Sequence, residues 1–144
     1  MAEAGDALVN PLTEERIVFV RTSAETGGEL LEMENLWTRA DHRTAPHVHP
    51  KMEETWEVLH GRVGFRIGDD ELHLGPGETV VAPPGTPHLA WNESGGQAAL
   101  LITMRPALRW EDFVVRMFEA PDRVRELLPE FRDELAPAPG SFAG

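Results

Sequence analysis

The chain has 144 residues, 25 acidic against 13 basic, for a formal charge of −12, and it contains neither cysteine nor tyrosine. That charge opposes binding to nucleic acid or to an anionic membrane, and the lack of cysteine removes disulfide frameworks, thiolate metal sites and cysteine nucleophiles together. With 41% hydrophobic residues the chain can bury one core. It has no apolar run of about eighteen residues to span a bilayer, and its acidic start, Met1-Ala2-Glu3, lacks the pattern of a signal peptide, so a cytoplasmic single domain is expected.

In chain order, residues 1–14 are polar and aperiodic and read as a loosely held arm. Arg16 to Arg21 is short and β-branched, with turn chemistry following at Thr26-Gly27-Gly28, and Glu29 to Trp37 alternates as a second strand. Short strands punctuated by glycine and proline follow at 46–50, 54–59, 62–67, 71–74, 79–82, 87–92 and 98–104. The last is apolar on both faces, as in a strand covered on two sides. Closely spaced strands with turns between them predict an all-β antiparallel sandwich or barrel over residues 15–106.

After Pro106 the period changes. Trp110, Phe113, Val114, Met117 and Phe118 recur at helical spacing, with Glu111 and Asp112 near the N-terminal end. A second helical stripe runs from Asp122 to Leu135, with Pro129 set to break or kink it. Residues 107–135 are therefore a short helical appendix, and 136–144 a flexible tail.

His60-Gly61 suits a two-residue hairpin turn, which would pair Val58 with Val63, Trp56 with Phe65 and Glu54 with Ile67. The alternation points Glu54 inward among apolar side chains, and the rival Glu53 outward. A buried carboxylate is costly without a cation or a hydrogen-bonding network. His47 and His49, two apart in an extended segment, share a face with their Cα atoms roughly 6–7 Å apart. His88 follows the rigid turn Pro83-Pro84-Gly85-Thr86-Pro87. Three imidazoles and one carboxylate make a plausible site for a divalent first-row metal with open positions, and on a dication they leave a charge of +1, which favours a small anionic or enolizable ligand. By the same alternation His73 faces outward, His60 sits in the turn and His42 in a polar loop, all three expected to be exposed.

These residues also resemble a family. His47-x-His49, four residues, Glu54, six residues and Gly61 resemble the first motif of the cupins. Gly77, five residues, Pro83-x-Gly85, two residues, His88, three residues and Asn92 resemble the second. The resemblance covers about residues 28–106. It implies a small antiparallel jelly-roll barrel, with His47, His49, Glu54 and His88 holding one divalent transition metal: iron, manganese, nickel, cobalt or zinc. It also implies a small-molecule ligand and a homodimer. Gly61, Gly77, Gly85 and Asn92 are turn residues without chemistry. Trp56 and Phe65, with Met104 and Trp37, are the candidate pocket walls, or simply core. The expected function is a metal-dependent enzyme acting on a small organic molecule, of dioxygenase type. Alternatives are a Lewis-acid isomerase, cyclase or decarboxylase, and a ligand-binding module without turnover.

Overall fold

The computed structural model describes residues 2–142, and the arm and tail expectations at Met1, Ala143 and Gly144 lie outside them. In chain order the strands are β1 (Ala7–Val9), β2 (Arg16–Arg21), β3 (Leu31–Trp37), β4 (His47–Val48), β5 (Glu53–His60), β6 (Val63–Ile67), β7 (Asp70–Leu74), β8 (Thr79–Ala82), β9 (His88–Asn92), β10 (Ala98–Arg105) and β11 (Ala136–Pro137). Two helices, α1 (Trp110–Glu119) and α2 (Val124–Leu127), are joined by a 3-10 turn at Pro121–Arg123. Strands β1-β2-β3-β10-β5-β8 form one antiparallel sheet, and β11-β4-β9-β6-β7 the other.

Every strand segment expected between residues 46 and 104 is present. Period-2 alternation is the cause: β3 and β10 turn every second side chain into the space between the sheets, where Leu31, Met33, Leu100, Ile102 and Met104 are buried. Phe65, Val63 and Leu74 from the second sheet and Val114 and Phe118 from α1 complete one core. Helix α1 carries Glu111 and Asp112 in its first turn and Arg116 in its last, each sign opposing the helix dipole there.

Four expectations are corrected. The 1–14 arm is partly structured, because Ala7–Val9 hydrogen-bond along β2 as an edge strand. Strands β5 and β6 do not form a hairpin: β5 pairs with β10 and β8, and β6 with β7 and β9. Gly61, at a φ of +83°, instead passes the chain from one sheet to the other, and a Cβ there would collide with Ser94 and the Gln97 carbonyl. Both inner faces stay apolar, so Trp56 and Phe65 meet across the interior, ring centroids 5.2 Å apart, instead of side by side. The stripe to Leu135 is helical only to Leu127, since Pro129 has no N–H for a further turn. The 136–144 tail is also partly ordered: Ala136 and Pro137 pair with Val48 and His47, and Phe142 is buried with the Arg66 guanidinium 4.6 Å from its ring.

Candidate metal centre

Three elements bring the ligand candidates together. Pro46 and Pro50 bracket His47-Val48-His49, and a residue that precedes proline, as His49 does, is biased towards extended backbone. The β4–β9 pairing then sets His47 directly opposite His88. Ahead of His88, Thr86 N–H donates to the Pro83 carbonyl at 3.2 Å, and Gly85 supplies the φ of +80° that this turn requires. Gly85 N–H also donates to the His49 carbonyl at 2.9 Å, locking the two segments together. Glu54 enters from the start of β5, facing inward as its parity predicts, and is 7% exposed. One donor atom from each of His47, His49, Glu54 and His88 lies within 4.8 Å of the others, close enough to bind a metal ion.

The backbone sets the tautomers. A carbonyl only accepts, so each Nδ1 that faces one must carry the proton. His47 Nδ1 donates to Ala45 O at 2.6 Å, His49 Nδ1 to Glu134 O at 2.8 Å and His88 Nδ1 to Thr86 O at 2.9 Å. In the neutral rings all three Nε2 lone pairs are left for the interior. Those of His49 and His88 face a single carboxylate oxygen, Glu54 Oε1, at 2.9 and 3.2 Å. Electron pairs facing a carboxylate at that range need a proton or a metal cation between them, and the buried His49 Nε2 has no hydrogen-bond partner. A divalent metal fits this donor set, with each ring oriented by an outer carbonyl as metal-binding histidines require.

With no metal bound, the electrostatics favour a proton in the place a metal cation would take, between Glu54 and the imidazoles. Burial works to raise the Glu54 pKa, but His49 and His88 beside it prevail and hold the carboxyl well below its ordinary range. For His88 burial acts downward, and the Glu54 carboxylate outweighs it to give a net rise. His47 is lowered to about 4 by burial and by the two neighbouring imidazoles, which keeps it a neutral donor. Glu53 is half-buried and outside the cluster.

Of the expected pocket residues, three lie by the cluster. Trp56 stands edge-on to His88 at 5.2 Å, Phe65 packs on Trp56, and Met104 is the cross-strand neighbour of Glu54. Trp37 does not belong with them. It pairs with Ala98 at the opposite end of β10 from Met104, about 20 Å along the strand. There its indole donates to Glu15 at 3.3 Å and stacks on His42, whose side chain is 8% exposed and so buried where exposure was expected. His60 and His73 are exposed as expected.

Two participants were not legible in sequence. Trp110, the first residue of α1, stands edge-on to His49 at 4.8 Å, and Glu134 supplies the carbonyl behind the same ring. Helical spacing assigns Trp110 to a packing stripe without showing what lies beneath it, and a backbone carbonyl leaves no mark in a sequence.

Comparisons with known proteins agree with this geometry. A family profile described as "Cupin domain" matches residues 38–104. The TT1209 protein of Thermus thermophilus is 30% identical over 68% of this chain and 88% of its own, with a TM-score of 0.59. An RmlC-like cupin from Shewanella frigidimarina superposes at a TM-score of 0.62 with 18% identity, over 74% of this chain and 86% of its own. A predicted oxalate decarboxylase from Thermotoga maritima also gives 0.62, at 13% identity over 72% and 92%. A search of curated protein sequences finds no match.

Proposed function

The chain belongs to the cupin family, and from that premise we propose that it is a metal-dependent enzyme of dioxygenase type, acting on a small anionic or enolizable organic molecule. The observation that carries the reading is the set of three Nδ1-protonated histidines converging with Glu54 on one point. A divalent iron, manganese, nickel, cobalt or zinc ion held there supplies an electrophilic centre and, where it is redox-active, electrons for dioxygen chemistry.

The side chains do the rest. Three neutral imidazoles and one carboxylate leave a dication with a net charge of +1, which selects an anionic oxygen ligand. The structurally similar Thermotoga maritima protein, a predicted oxalate decarboxylase, is named for such a small carboxylate. Around the ligands the inward neighbours are apolar: Met104 and Ala82 flank Glu54, Ile67 flanks His88, and Trp56 and Phe65 close the interior. These walls exclude water and bind the carbon skeleton, while the polar head is left to the metal.

Metal content of untagged, anaerobically purified protein tests this, measured per chain beside His88→Ala and Glu53→Ala. Near-stoichiometric iron, manganese, nickel or cobalt in the wild type and Glu53→Ala is expected, with most of it lost from a still-folded His88→Ala. Oxygen uptake with enolic or catecholic substrates should then follow. Full metal in His88→Ala would discard the ligand set. Stoichiometric zinc would favour Lewis-acid chemistry, and saturable ligand binding without product a binding module.

A further inference from the structure

His49 differs from the other two histidines in the origin of its orientation. His47 and His88 each donate Nδ1–H to a carbonyl two residues back in the chain, so their own turns set them. The acceptor for His49 is 85 residues away, at Glu134. The segment that carries it is tied down on all sides. Pro137 and Ala136 pair with His47 and Val48, and Asp133 lies 3.0 Å from Lys51 Nζ. The buried Glu134 carboxylate accepts the Arg109 N–H at 3.2 Å just ahead of α1. Phe131 is fully buried, edge-on to Phe113 and flanked by the guanidiniums of Arg109 and Arg116 at 4.5 and 5.4 Å.

Residues of 107–137 also cover the His49 side of the site, while His47 stays partly exposed. His49 and His88 are each 1% exposed, and Trp110 lies against His49 with Phe113 stacked behind it at 4.9 Å.

We propose that residues 107–137 form a strap whose docking is thermodynamically linked to metal occupancy through His49. The proposal rests on the metal reading above. A docked strap holds His49 in the Nδ1–H form with Nε2 directed inward, whereas a released strap frees the ring to rotate and change tautomer. A cation on Nε2 draws electron density from the ring and makes Nδ1–H a stronger donor, which tightens its bond to the Glu134 carbonyl. Linkage is reciprocal: whatever docking adds to metal affinity, metal adds to docking. Glu134 is thus a positioning residue, acting through its main chain.

Hydrogen exchange on the full chain tests the linkage, comparing chelator-treated protein with protein loaded with Co(II), together with Co(II) affinities of the wild type and Phe131→Ala. Phe131 packs on Phe113, Arg109 and Arg116, all within the strap, so its loss loosens the strap first. Exchange in 107–137 should slow at least about tenfold on loading, and Phe131→Ala should bind Co(II) about 10- to 100-fold more weakly with barrel exchange unchanged. Co(II) bound equally by both proteins, with strap exchange indifferent to it, overturns the linkage and leaves the metal reading standing. Failure of the wild type to bind Co(II) or any other first-row divalent ion overturns both. Should Phe131→Ala not fold, the wild-type exchange comparison decides alone.

Discussion

Glu15 shows what burial does to a carboxylate away from any metal ligand. Its Oε2 accepts from Asn35 at 2.8 Å and from Trp37 at 3.3 Å, and His42 Nε2 lies 4.0 Å from its other oxygen. Burial raises its pKa above the ordinary carboxylate range, with the two donors pulling partly back, and burial lowers His42 to about 4. The folded state therefore holds a proton on Glu15 that the unfolded chain releases, so this residue costs stability as pH rises from the unfolded carboxylate value through the raised one. His42 acts at the other limb, where stability falls as pH drops from about 6.5 to about 4. Glu15→Gln keeps an acceptor and removes only the first effect. In urea titrations the wild type should gain on Glu15→Gln as pH falls from neutral towards the ordinary carboxylate range; a gain in the opposite direction would reject the assignment. Glu54 was legible in sequence because strand parity alone turned it inward. The cluster of Glu15, Asn35, Trp37 and His42 was not, since it is assembled by pairing between segments that no local pattern links, and so Trp37 was assigned to the wrong end of the barrel.

At the scale of elements, strand existence was legible and strand partnership was not. Alternation is local and survives any pairing, so segments such as 79–82 and 87–92 could be located to within a residue. Which strand lies beside which depends on closing both sheets over one core, a non-local requirement that overrode the hairpin signal at His60-Gly61. Gly64 illustrates the same blindness. It occupies the middle of β6, paired with His73 on one side and Trp91 on the other, and a Cβ there would run into the Trp91 indole. A glycine inside a strand is a local cost that leaves room for a neighbour's ring. Gly64→Val, favourable by strand propensity alone, should instead destabilise by about 1–3 kcal/mol through overpacking. A shift in urea midpoint at unchanged slope would show it, and a stabilised variant would mean that the indole has room to move.

Across the whole molecule, net charge and sheet exposure bear on assembly. The outer face of the six-stranded sheet exposes Val18 by 37% and Val81 by 44%, and carries Leu101 in register between Glu34 and Glu57. A homodimer formed through this face would bury the apolar residues and bring acids of two chains, each at −12, towards one another. Its stability should therefore rise with salt, which screens such repulsion over about 10 Å at 0.1 M. Sedimentation at low and at about 0.5 M salt would read this; a monomer at both concentrations would discard the dimer. The helical appendix carries a different consequence, for the timing of biosynthesis. Strand β10 stands between β3 and β5, so the six-stranded sheet stays in two pieces until residues 98–105 leave the ribosome. Such long-range pairing is slow to form. His49 waits longer still, for the carbonyl of Glu134. The nascent chain thus displays His49 long before it can orient it, and the four side chains converge only once residues up to 134 have folded onto the barrel.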